Sequence, residues 1–202
     1  EIEATLARTS PNITILRFDG YLPESYPAEI GVLSELLDCQ DQGKDFLKFY
    51  TGCNDAVTDR IATIPEDERV RVYLETWTDY KSAARGSGYD QKIGMAGGSN
   101  IFSSEPAEYP EIDPEAVIER SPQVIIKIIG SGRYTFGGYE GGNETAFQQA
   151  YQDMASRKGW ETLEAVKENR IYLLHTDILG GPHHFIGTQY MAKWFYPDRF
   201  AD

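Results

Sequence analysis

Aromatic and cationic side chains gather in three short stretches of this 202-residue sequence, and their types point to ligand binding. The first stretch holds Trp77, Tyr80, Lys81, Arg85 and Tyr89; the second Arg133, Tyr134, Phe136 and Tyr139; the third His175, Asp177, His183 and His184. Flat π-faces and cationic donors set among glycines suit a large planar or anionic ligand, held by stacking and charge-assisted hydrogen bonds. Each residue also has a structural reading. Trp77 fits a core cap as well as a ligand contact, the tyrosines fit loop covers, and Arg85 and Arg133 fit solvated cations or partners of nearby acids.

Bond-making chemistry finds less support. His175, Asp177, His183 and His184 are close in sequence, but adjacent histidines diverge, whereas a motif such as HExxH sets its ligands on one helical face. Pro182 followed by two histidines at a helix start reads as packing and capping, so no bound metal is expected. Neither Gly86-Ser87-Gly88 nor Gly130-Ser131-Gly132 completes a dinucleotide fingerprint, Thr135 standing where the second needs its last glycine. There is no GxxxxGK[ST] loop and no GxSxG elbow, and nothing names a nucleophile.

The elements that must carry these loops alternate. Val70 to Glu75 reads as a strand, a helix follows at about 89–96, and Asp113-Pro114 makes an N-cap with Pro at N1 for a helix running to Arg120. Val124-Ile125-Ile126-Lys127-Ile128-Ile129 is a near-continuous β-branched run, as in a parallel strand buried on both faces. Helical stretches at about 144–156 and 160–167, a strand from Arg170 to Leu174 and a helix from His184 to Phe195 complete the series. Strand-then-helix units make a three-layer α/β lobe, and parallel strands deliver their C-terminal ends, and so the three stretches, to one edge. Upstream, the alternation of Ile13, Ile15, Leu16 and Phe18 predicts a strand over Asn12 to Phe18, and the pattern from Ala28 to Ile64 predicts one or two long helices stopped by Pro65.

Composition narrows the partners. A net charge of −13 without a long basic cluster argues against nucleic acid, and no apolar run of about 18 residues spans a membrane. The first residues carry neither an initiator Met nor a signal sequence and read as the end of a helix entered partway, so a piece of a longer protein is expected. Cys39 and Cys53 lack CxxC spacing. On one helix they stand roughly 21 Å apart, beyond disulfide reach, and a bridge needs the turn that Asp41-Gln42-Gly43 permits.

Several segments in order resemble a known family. Val70 to Glu75 with Trp77, then Arg85-Gly86-Ser87-Gly88 leading to Met95-Ala96-Gly97-Gly98-Ser99-Asn100-Ile101-Phe102, is similar to a passage of the substrate-binding proteins of ABC importers for ferric siderophores, haem and cobalamin, the class III periplasmic binding proteins. Ile112 to Ile126, Trp160 to Tyr172, and the tail from Gly180-Gly181-Pro182 to Phe200 resemble three further segments of that family. The resemblance implies two α/β lobes of chelatase-like fold joined by a long connector helix, with ligand in the cleft between them. Residues 1–20 then correspond to a remnant of the N-terminal lobe, 21–68 to the connector helices and 69–202 to the C-terminal lobe with its mostly parallel sheet.

The same resemblance implies a monomeric, extracytoplasmic binding protein, membrane-anchored in its full length. It needs no cofactor and performs no bond chemistry. Its partners are a metal-chelate ligand and the membrane permease subunits, which such proteins dock through an acidic residue on each lobe. The C-lobe acid maps onto Glu115, although an acid at a helix N-terminus is also favoured by the macrodipole. Ligand residues vary across that family, so the candidates for the ligand wall come from the residue types of the three stretches: Trp77, Tyr80, Arg85, Arg133, Tyr134, Tyr139, His175, His183 and His184. Departures are Gln123, where the family has Asp, and a long glycine-rich loop from Gly130 to Gly142. A metal-dependent enzyme of a related two-lobed fold and a sensory binding module are the competing classes.

Overall fold

The computed structural model describes residues 2–10, 12–138 and 141–201. Its sheet has four strands, β1 (Val70–Glu75), β2 (Gly98–Asn100), β3 (Val124–Ile129) and β4 (Ile171–His175), in the order β2-β1-β3-β4. All pairings are parallel, and the β1/β3 register sets Val72 opposite Val124 while β3/β4 sets Ile125 opposite Ile171. The continuous apolar run of β3 has its reason in this order: every residue from Val124 to Ile129 is buried, because helices cover both faces.

Period-two alternation splits the strand side chains between two cores. Val72, Leu74, Val124, Ile126 and Ile128 face one core, beneath α3 (Gln40–Ile61), α4 (Gly88–Met95), α8 (Thr176–Leu179) and α9 (His184–Phe195). Tyr73, Ile125 and Ile171 face the other, where Phe102, Val117, Met154, Trp160 and Ala165 pack from α5 (Pro114–Arg120), α6 (Glu144–Ala155), α7 (Glu164–Lys167) and their flanking loops. The result is the three-layer α/β lobe that the sequence predicts.

Local chemistry sets the element ends. Asp113 accepts the Glu115 amide at 2.8 Å and Pro114 occupies the first turn of α5, as its N-cap pattern predicts. Ser87 caps α4 through the Asp90 amide and Asn143 caps α6 through the Ala146 amide. The long helical region resolves into two helices, α2 (Tyr26–Leu36) and α3, with Asp38 in the left-handed region at φ 53° turning the chain between them. Cys39 and Cys53 are both free. Ahead of them stands α1 (Ile2–Thr9).

Residues 12–18 depart from expectation. They form no strand, and Ile13, Leu16 and Phe18 are exposed. An alternating segment becomes a strand only by pairing with a neighbour, and none lies beside it among the described residues. A second difference is α8, a single turn directly after β4, which the sequence reading runs together with the following loop.

α2 and α3 are tied to the lobe by aromatic edge contacts. Tyr26, Tyr50 and Phe185 form a small core of their own, and the Tyr50 hydroxyl lies 2.8 Å from His184 Nε2. No helix among the described residues is long and apolar enough to cross a membrane.

Candidate functional site

The loops after β1, β3 and β4 meet at the C-terminal edge of the sheet, where open parallel sheets hold ligands. Gly132, at φ +64°, comes so close to the Trp77 backbone that a Cβ there would lie 2.7 Å from its carbonyl oxygen. Gly130, at φ +102°, lies against the His175 ring. Glycines therefore let the second loop pack on the other two, and the edge is one continuous surface.

Beneath that surface is a network of buried charge. Glu75, at the end of β1, has no exposed surface and accepts hydrogen bonds from Lys127 Nζ at 2.7 Å, Arg157 at 2.6 and 2.9 Å, the Tyr73 hydroxyl at 2.9 Å and the Tyr80 amide at 2.9 Å. Asp79 joins Lys127 at 3.3 Å, Arg157 at 3.1 Å and Arg133 at 3.1 Å, and Asp153 holds the other end of Arg133 at 2.7 Å. Three acids face three cations, so the ensemble is close to neutral despite its burial.

Burial pushes the Asp79 carboxyl up, but the charges of Lys127 and Arg157 and their hydrogen bonds outweigh it, leaving Asp79 below the usual carboxylate range. Tyr73 is raised well above its ordinary value by burial and by Glu75. The network fixes the loop from Trp77 to Lys81, since Glu75 accepts the Tyr80 amide while Lys127, Arg157 and Arg133 hold the Asp79 side chain.

A cavity of about 280 Å³ opens between the loops after β1 and β4, lined by Tyr21, Trp77, Tyr89, Lys92, Tyr109, Thr176 and Gly180. Its chemistry is aromatic and hydroxylic, with one ammonium. Burial raises Tyr109 to about 12 and lowers Lys92 to about 7. Lys92 is 1% exposed and donates to the Leu179 carbonyl at 2.8 Å.

The predicted ligand residues occupy different situations. Trp77, 38% exposed, lines the cavity. Arg85 is exposed and is not among the residues lining the cavity. Arg133 is exposed but held between Asp79 and Asp153, with its guanidinium 5.2 Å from the Tyr134 ring centroid. Tyr134 is buried, its hydroxyl on Asp153 at 3.1 Å, and burial with that bond raises it to about 12. Tyr80 turns toward the opposite core, stacking with Arg157 at 4.3 Å, so it supports the loop from beneath. Tyr139 lies outside the described residues.

The histidines separate. His175 caps α8, its Nδ1 accepting the Asp177 amide at 3.1 Å. His183 is exposed ahead of α9. His184 lies in the interior with both ring nitrogens engaged, Nε2 by Tyr50 and Nδ1 by the Gly181 carbonyl, and burial lowers it to about 4. His184 therefore ties α3 to α9 and has no free nitrogen to offer a ligand. Among the described residues no group of three or more His, Cys, Asp or Glu is arranged to hold a metal ion.

Sequence reasoning missed Lys92, Tyr21, Tyr109 and the acids of the network. Lys127 was the available signal, because a lysine inside a buried strand demands a carboxylate partner. Lys92 had none: in Asp90-Gln91-Lys92 it resembles an ordinary solvated helix position.

Comparisons agree with this architecture. The family model described as periplasmic binding protein matches residues 4–178, and the chain belongs to that family. The molybdate-binding protein MolA of Haemophilus influenzae is 22% identical over 182 residues, covering 86% of this chain and 46% of that protein. Among solved structures, the TroA-like periplasmic binding protein FepB of Veillonella parvula matches with a TM-score of 0.81 at 24% identity, over 98% of this chain and 59% of that one. Helicobacter pylori CeuE, solved with Ni(II) bound, matches with a TM-score of 0.77 at 15% identity, over all of this chain and 60% of that one. The chain thus spans about half to three fifths of the length of these relatives. Its fold is part of the two-lobed periplasmic binding protein architecture.

Proposed function

We propose that the intact protein is the extracytoplasmic solute-binding component of an ABC importer, which captures an iron-chelate, haem or cobalamin-type ligand in an interlobe cleft and delivers it to the permease. The observation that carries this reading is the convergence of three post-strand loops, with Trp77, Arg133 and the aromatic cavity on one edge of the sheet. A preformed aromatic surface with cations at its margin binds flat, multiply charged ligands without needing reactive groups. The wall presented by this chain consists of Trp77, Arg85, Arg133 and His175, with His183 ahead of α9.

Glu115 is the docking acid on this lobe. It stands exposed in the first turn of α5, its amide held by the Asp113 cap. A monomer, anchored to a membrane through a part of the protein beyond this chain, meets the permease through it. The test is titration of the intact protein with ferric siderophores, haem and cyanocobalamin, followed by fluorescence quenching and thermal shift. Saturable binding of one class is expected, and silence with all of them overturns the reading.

A smaller ligand is the second reading. The relative from Haemophilus influenzae is named for molybdate, and a cavity of about 280 Å³ has room for a tetrahedral oxyanion. Molybdate belongs in the same titration.

A further inference from the structure

Among the described residues, Lys92 is a buried cation of the site edge that the charge network does not absorb. Its ammonium is buried in the cavity wall, 1% exposed, yet none of the ion pairs among the described residues includes it. It donates one hydrogen bond, to the Leu179 carbonyl, and lies 5.3 Å from the Tyr89 ring centroid. A buried ammonium with a single neutral acceptor is costly, and a neutral donor would serve the end of α8 as well. In a chain of 32 acidic residues, the absence of a carboxylate beside it leaves a cationic seat unfilled.

The walls define what can fill it. Trp77 in the loop after β1, Thr176 directly after β4 and Tyr89 of α4 line the cavity around the ammonium, and Tyr21 lies across the start of α4, where Gly88 leaves it room: a Cβ there would meet the Tyr21 carbonyl at 2.7 Å. The cavity admits one arm of a large ligand, not the whole. Asp19 and Glu108 bear on the Tyr21 hydroxyl at the mouth, and Glu108 on Tyr109. Those carboxylates repel a free polyanion but tolerate an oxygen whose charge is offset by a bound metal.

We propose that this cavity receives an anionic oxygen donor of a metal-chelate ligand, such as a carboxylate or phenolate, with Lys92 as its counter-ion and Tyr21, Trp77 and Tyr109 as its walls. The inference rests on the solute-binding reading and names the ligand chemistry of that site. Lys92 is then kept charged-capable at the expense of the empty protein's stability, and the ligand supplies the missing partner.

Calorimetric titration of the intact protein tests it, with ferric citrate, a ferric tris-catecholate, haem, cyanocobalamin and sodium molybdate as probes. Each probe that binds the wild type is repeated on Lys92→Met and Lys92→Arg. The expected result is a ferric chelate whose Kd rises at least tenfold in Lys92→Met and returns to within about threefold in Lys92→Arg, while Lys92→Met melts no lower than wild type. The same pattern with molybdate alone keeps the cationic seat and overturns the chelate assignment. Equal affinity in wild type and Lys92→Met for every binding probe overturns the seat and leaves the importer reading standing; no binding by any probe overturns both.

A second measurement covers a Lys92→Met protein that does not fold. The groups facing Lys92 are Tyr21, Tyr89, Tyr109 and His184, with Glu108 beyond them. In the wild type carrying 13C-methylated lysines, the Lys92 signal should titrate near neutral pH when empty and well above it when the ligand saturates the protein. A Lys92 signal that ligand does not move overturns the proposal.

Discussion

At the scale of single residues, Glu75 and His184 show how burial assigns roles that residue type alone leaves open. Glu75, without exposed surface, neutralises Lys127 and Arg157, which are themselves buried or nearly so. Removing its charge strands two buried cations, and breaking such a pair costs far more than the pair contributes relative to apolar substitutes. Glu75→Gln is therefore expected to destabilise the protein by about 3–5 kcal/mol in urea denaturation. Lys127→Met in the same background should recover part of the loss, and a double variant no more stable than Glu75→Gln would contradict the coupling.

His184 gives a pH dependence. Its folded value, about 4, lies below the ordinary 6.5, so the unfolded chain takes up a proton that the folded protein refuses. Stability is full above about pH 6.5 and falls as pH drops from there toward 4. In His184→Gln the melting temperature should decline less over that window, although the lost Tyr50 contact lowers it at pH 7. Parallel melting curves for the two proteins between pH 6.5 and 4.5 would show that another group carries the effect. Asp79 acts lower: its folded value is depressed, so its contribution is present above the usual carboxylate range and disappears as pH falls through its lowered value.

At the scale of elements, legibility follows from whether the information is local. The cap of α5, the buried run of β3 and the start of α9 at His184 are written in neighbouring residues, and each element forms where the sequence predicts it. Residues 12–18 carry a strand pattern without a partner to pair with, and pattern alone does not supply hydrogen bonds. α8 is one turn held by the His175 cap, too short for periodicity to register. The site was legible as three aromatic and cationic loops. The charge network and Lys92 were not, because their partners stand far apart in sequence, Glu75 from Arg157 and Lys92 from Leu179.

The elements also differ in what they can lose. Ile126 sits in the middle of β3 without exposed surface, flanked by β1 and β4, so truncation leaves a void that close-packed neighbours cannot fill. Ile126→Ala should cost about 2–5 kcal/mol by chemical denaturation. Asp113→Ala removes only the cap of α5, about 0.5–2 kcal/mol, and a larger loss there than at Ile126 would mean that α5, not the sheet, dominates the lobe's stability.

At the scale of the whole molecule, Glu115 separates binding from delivery. It sits in the first turn of α5 on the exposed surface, where its charge interacts favourably with the helix dipole for about 0.3–1 kcal/mol. Reversing it to Lys costs roughly twice that, too little to unfold a lobe whose central strand β3 is fully enclosed. It is not among the residues lining the aromatic cavity, so ligand affinity should not follow it. If Glu115 meets a basic partner on the permease, Glu115→Lys replaces attraction with like-charge repulsion at close range, worth several kcal/mol at an interface. The expected outcome is a ligand Kd within about twofold of wild type, a melting temperature lowered by only a few degrees, and uptake into reconstituted importer vesicles reduced at least tenfold. Undiminished uptake would leave Glu115 as a helix-terminal acid alone and would move the protein from importer component toward a sensory binding module.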